Sequence, residues 1–252
     1  MIEGRQMCWD CYKPAKSCFC GDLKSFDTTT RFVLLMHPKE ANKNKTGTGR
    51  ISHLCLKNSE IIVGVDFSKS QRFNDLINDD RYLPFVLYPG ESSYRVDHKE
   101  IPIEASKLIK VGKKQPLIFI LDGTWPCAKK MMLVNSKLHK LPRLSFSASP
   151  NLKSQFTIKH QPSPVCLSTI ESIFYFLKAW RRGGYPEISS SSDDSVLLEG
   201  LAGIVNFQIK CALDPHLKSY RKGRYKTQEE KSRSIKWDKR KLFFEKENFQ
   251  SL

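Results

Sequence analysis

The chain has 252 residues, 40% of them hydrophobic, so it can bury one sizeable core and is too short for a multi-domain machine. Lys and Arg number 42 against 26 Asp and Glu, and the formal net charge of +16 points to a polyanionic partner, nucleic acid ahead of a membrane surface. No apolar run approaches the roughly 20 residues that span a bilayer and the N-terminus lacks the apolar core of a secretory signal, so a cytoplasmic protein without a membrane partner is expected.

In chain order, the first feature is a cysteine cluster. Eight cysteines in a chain expected to stay reduced argue for thiols or metal ligation over disulfides. Four fall within thirteen residues, as Cys8-x-x-Cys11 and then Cys18-x-Cys20. Two close pairs can wrap one ion and fill its tetrahedral shell, so Cys8, Cys11, Cys18 and Cys20 are expected to hold a structural zinc. Cys55, Cys127, Cys166 and Cys211 are scattered and read as core or near-core residues.

Short β-type runs follow: Arg31 to His37, Glu60 to Val65, Pro84 to Tyr88, Pro116 to Leu121 and Arg143 to Phe146. Most are continuously apolar, as in strands buried on both faces, and helical spacing separates them. The pattern predicts an α/β fold with a mainly parallel sheet flanked by helices. Ile170, Ile173, Phe174, Leu177 and Trp180 predict a helix stopped by Gly183-Gly184. Leu198, Leu201, Val205 and Ile209 predict another, after a Ser189 to Asp194 run expected to be a flexible loop that also caps it. The chain divides into an N-terminal zinc module (1–25), a main domain (26–215) and a basic aromatic tail (216–252). From His216 onward, twelve Lys/Arg stand against five Asp/Glu, interleaved with Tyr220, Tyr225, Trp237, Phe243 and Phe244.

Four segments carry candidate chemistry. His37 ends an apolar strand, where α/β sheets place ligands, although a lone histidine before proline is more often structural. In Thr46-Gly47-Thr48-Gly49-Arg50 the glycines let backbone donors approach an anion, and Arg50 can pair with carboxylate or phosphate. Asp122, at the mouth of the 116–121 run, is the catalytic candidate if desolvation raises its pKa, and capping of the next helix is the plain alternative. Ser168, Thr169 and Glu171 open a helix and form either an anion site or an ordinary helix start.

The ordered set Cys8-x-x-Cys11…Cys18-x-Cys20, His37-Pro38-x-Glu40, Thr48-Gly49-Arg50, Leu87-Tyr88-Pro89-Gly90-Glu91, Leu121-Asp122-Gly123-Thr124-Trp125-x-x-Ala128-x-Lys130-Met131, Leu141-Pro142-Arg143 and Leu167-Ser168-Thr169-x-Glu171 resembles the DTW-domain family. That resemblance implies a SPOUT-like, knotted fold and a tRNA-uridine aminocarboxypropyltransferase that uses S-adenosyl-L-methionine. It implies a donor pocket from His37, Leu121, Gly123, Thr124, Trp125, Leu167, Ser168, Thr169 and Glu171, with Asp122 as base or as the group that orients the uracil. Arg50, Lys129, Lys130, Arg221 and Arg224 would hold tRNA, and a monomer is favoured. The rival readings are a SPOUT-type methyltransferase with the same donor and a non-catalytic zinc-containing RNA-binding protein.

Overall fold

The structure, a computed structural model, describes residues 6–15, 18, 20–43, 47–99, 101–147, 154–158 and 166–213. The expected tail of 216–252, with Arg221 and Arg224, lies outside the described residues.

Six strands form one sheet: β1 (Arg31–Met36), β2 (Ser59–Val63), β3 (Tyr82–Leu87), β4 (Ser93–Arg95), β5 (Gln115–Asp122) and β6 (Arg143–Ser145). The order is β2-β1-β5-β3-β6-β4, and every pairing is parallel. The central strands are apolar on both faces because both are covered. Phe32 and Leu34 of β1 and Ile118 and Ile120 of β5 face one core, and Val33, Leu35, Leu117 and Phe119 face the other.

The first core is closed by α2 (Thr48–Cys55), α4 (Ile103–Lys110), α7 (Thr169–Arg182) and α8 (Ser191–Leu213), through Ile51, Ile109, Ile173, Trp180 and Leu201. The second is closed by α3 (Gln71–Asn78), α5 (Trp125–Val134) and α6 (Ser136–Lys140), through Phe73, Leu76, Met131, Met132 and Leu138. A short α1 (Pro38–Lys43) follows β1. The predicted α/β class with helices on both faces is therefore observed, and the sheet is wholly parallel. No helix among the described residues is long and apolar enough to cross a membrane.

Departures from expectation have local causes. Strand β4, Ser-Tyr-Arg, is short and polar and lies at the sheet edge, so it carries no apolar run to read. Strand β3 begins at Tyr82, before Pro84; β6 pairs only with Val86 and Leu87, so the proline sits where β3 has a neighbour on one side alone. The serine-aspartate run is not a loop throughout: Ser191 to Asp194 form the first turn of α8. Ser190 caps that turn reciprocally with Asp193, and the buried Asp194 pairs with Arg181 of α7. Helix α7 ends at Gly183-Gly184, with Gly184 in the left-handed region at φ +74°.

Candidate active site and cysteine centre

Parallel strands bring their C-terminal ends to one side of the sheet, and there Met36 of β1 lies in register with Asp122 of β5. The His37 amide donates to the Asp122 carbonyl at 2.8 Å, locking the two strand ends together. Two helices then aim their first turns at the Asp122 side chain. From α7, the Thr169 hydroxyl donates to Oδ1 at 2.6 Å. From α2, Gly49 lies so close that an added Cβ would collide with the carboxylate. Asp122 is only 4% exposed.

The Thr48-Gly49-Arg50 turn, expected to approach an anion, thus packs against the Asp122 carboxylate. Helix N-termini and a hydroxyl donor stabilise negative charge, and α5 takes Thr124, not Asp122, as its N-cap.

His37 is buried at the end of β1, and its Nδ1 accepts the Lys39 amide at 3.1 Å, so a neutral ring carries its proton on Nε2. Burial, then the positive charge of Lys39, hold its pKa below the usual value, with Lys130 adding to this and Glu40 opposing it. A Cβ on Gly123 would touch the His37 and Cys127 side chains, so this glycine lets α5 start close against the β1 end. Leu121 points away, into the α3/α5/α6 core, while Thr124 is exposed and Trp125 is partly buried at the start of α5. Lys129 and Lys130 are exposed on the same helix.

At α7, Ser168 and Glu171 form a reciprocal capping box, and Glu171 reaches further. Its carboxylate accepts the Ser168 amide at 2.8 Å and hydroxyl at 2.6 Å, the Ser154 hydroxyl at 2.9 Å and the Gln155 amide at 2.6 Å. This buried side chain clips the 154–158 segment to the start of α7. Leu167 is partly buried next to it.

The four N-terminal cysteines converge, with their sulfurs within 4.8 Å of one another. Cys8 and Cys20 are 3.9 Å apart and Cys11 and Cys18 are 3.8 Å apart. Two sulfurs bonded to one tetrahedral ion at a Zn–S length of about 2.3 Å stand about 3.8 Å apart, so the spacing fits and the cluster could hold zinc. The amides of Cys11 and then Asp10 lower the Cys8 thiol to about 7. Lys13, buried in the same loop, has its pKa lowered by burial, and the thiols of Cys11, Cys20 and Cys18 oppose that shift. Sequence reasoning missed Lys13 and Tyr12; the second adopts φ 55° and lies 4.1 Å under the Arg50 guanidinium. Arg50 thereby joins the cysteine loop to the helix turn that faces Asp122.

The DTW domain family profile matches residues 5–209, which include the cysteine cluster, the Asp122 site and all six strands. The chain belongs to the DTW domain family. Among its relatives, tRNA-uridine aminocarboxypropyltransferase 2 of Macaca fascicularis is 27% identical over 213 residues, which is 82% of this chain and 64% of that protein. Proteins of the same name from Drosophila melanogaster and Mus musculus are 28% identical over 176 residues and 26% over 216, with 67% and 82% of this chain covered. The match spans 64% and 65% of those two proteins, so in each case it covers less than two thirds of the relative's length. No solved structure matches the chain.

Proposed function

We propose that this protein is a cytoplasmic tRNA-uridine aminocarboxypropyltransferase, moving the 3-amino-3-carboxypropyl group of S-adenosyl-L-methionine to the ring imide nitrogen of a uridine. The observation that carries the reading is a DTW match running unbroken over both the cysteine cluster and the strand ends around Asp122. The relatives' names supply the reaction class. In the reaction the imide nitrogen gives up its proton and attacks the methylene carbon on sulfur. The carbon–sulfur bond breaks, and methylthioadenosine leaves with the electron pair.

A sulfonium presents three carbons, and the pocket selects which one meets the nucleophile. Leu121, Gly123, Thr124, Trp125, Leu167, Ser168 and Thr169 line the donor pocket in this reading, mainly through backbone groups, with the neutral His37 beside them. Asp122 faces the uracil either as proton acceptor or as the group that orients it, and the two helix turns around it favour orientation. Glu171 serves the pocket at one remove, as a positioning residue that holds Ser168. Arg50, Lys129, Lys130, Arg221 and Arg224 take tRNA phosphates. Cys8, Cys11, Cys18 and Cys20 would hold a structural zinc, which cross-links a segment too short to fold by burial alone. The reading includes a SPOUT-like knot, a monomer, and a division at residues 25 and 215 into zinc module, catalytic domain and tail.

Donor labelled separately in its methyl and carboxypropyl groups tests the chemistry. Carboxypropyl label in tRNA is the expected result, whereas methyl label would replace this reading with a methyltransferase and no label would leave only an RNA binder.

A further inference from the structure

Three of the nine large hydrophobic side chains exposed among the described residues fall within six positions: Met7 at 43%, Trp9 at 87% and Tyr12 at 53% exposure. Single exposed apolar residues need no explanation, but three on one short loop do. The loop is built to hold them. Cys8 and Cys11 flank Trp9, the Tyr12 amide donates to the Cys8 carbonyl at 3.0 Å, the Cys8 amide donates to the Lys13 carbonyl at 2.8 Å, and Met7 bridges to Pro14. These bonds make Tyr12 adopt its left-handed backbone and keep Trp9 in water on a cross-linked turn.

The direction of this platform is set by Arg50. Its guanidinium lies over the Tyr12 ring, and its neighbour Gly49 abuts the Asp122 carboxylate. A rigid aromatic surface next to a cation, on a chain of net charge +16, suits a flat ligand carried on a polyanion. We infer that the turn at Trp9 and Tyr12 is a base-stacking platform, on which an unpaired RNA base docks on the Trp9 ring while Arg50 serves the adjoining phosphate. The inference rests on the reading of the protein as an RNA-modifying enzyme and adds the surface that grips the substrate outside the reacting centre.

Stacking is sequence-tolerant and neutralises no phosphate, which gives it a signature separate from charge. The test measures binding of unmodified bulk tRNA, and of a short oligouridylate, to zinc-loaded full-length protein across a salt series. Trp9→Ala and Trp9→Leu are expected to weaken binding roughly 5- to 100-fold while the salt slope stays that of the parent. Trp9→Phe is expected to stay within about threefold of the parent, because a smaller ring still stacks. Full zinc content in each variant excludes a collapsed loop as the cause. Parental affinity in Trp9→Ala overturns the platform and leaves the exposed aromatics to a protein partner; parental affinity in Trp9→Leu shows that burial rather than stacking is at work and overturns it equally. If the parent protein itself binds neither RNA, the enzyme reading fails along with the platform, whereas a parent that binds and modifies tRNA alongside an unaffected Trp9→Ala confines the failure to the platform.

Discussion

The Thr169 hydroxyl and the Asp122 Oδ1 are 2.6 Å apart although 47 residues separate them in sequence, so the first turn of α7 and the last residue of β5 are bound into one unit. Removing either side has a different expected result. Asp122→Asn should lower kcat for tRNA modification by about 10²- to 10⁴-fold, the range for a positioned acid–base or orienting group, with donor affinity held within a few-fold. Thr169→Val should cost about tenfold and Thr169→Ser very little, since serine restores the donor. Parental turnover in Asp122→Asn would remove the residue from the chemistry.

Gly49→Ala places a methyl group against the Asp122 carboxylate, so either α2 or the carboxylate must move. The expected cost is about 1–3 kcal/mol of stability, with loss of most activity. Gly21→Ala, with nothing within 4 Å of the new carbon, is the stability control and should melt with the parent. Thermal melts of the two variants side by side give the comparison.

Glu171 accepts four hydrogen bonds from three residues, and Glu171→Ala strands those donors in a buried setting. A loss of about 2–4 kcal/mol is expected, together with faster amide exchange at Gln155. A variant that instead keeps parental stability and exchange but loses donor affinity would return Glu171 to direct donor contact.

Cys11 is buried in the same core as Ile51, Cys55 and Leu201, so the cysteine loop is continuous with the α2/α8 layer. Chelation, or Cys11→Ser, should therefore lower the melting temperature of the whole domain and not only loosen the N-terminus. Metal analysis is expected to find about one zinc per chain. A zinc-free protein with an unchanged melt would refute the structural site.

Acid should destabilise the fold in two stages. His37 and His53 are both held below the usual histidine value, chiefly by burial, so the unfolded chain takes up their protons first and stability falls as the pH drops below about 6.5. A second loss follows below about 4.5, where carboxylates held low by arginine protonate. At Glu60 burial opposes the shift but Arg72 and Arg31 outweigh it, and at Asp79 the Arg81 hydrogen bond brings the pKa to about 2. Melting temperatures from pH 7.5 to 5 should show the first stage, and His53→Asn should flatten it; an unchanged slope would clear His53 of the effect.

Strands β1 and β5 were legible because a strand buried on both faces must be apolar along its length, and α7 because its stripe and stop residues agree. Strand β4 was not, since an edge strand of Ser-Tyr-Arg has no burial to record. At the site, sequence order located His37, Asp122 and Thr169 but could not show that they meet, because parallel pairing joins residues far apart in the chain. Nor could it show that Glu171 takes four hydrogen bonds from within the chain: a glutamate three residues after serine looks the same whether it caps a helix or binds a ligand. Gly49 read as an anion cradle, and only the packing of α2 reveals that the Asp122 carboxylate lies against it.

The order β2-β1-β5-β3-β6-β4 also governs how the molecule can be made. No pairing is a hairpin, so nascent β3 and β4 have no partner in the sheet until β5 and β6 leave the ribosome, and the groups around Asp122 assemble only after Thr169 has emerged. Incomplete chains therefore carry exposed strand edges and no working site, and synthesis of this protein should depend on chaperones far more than that of a helical bundle of equal length.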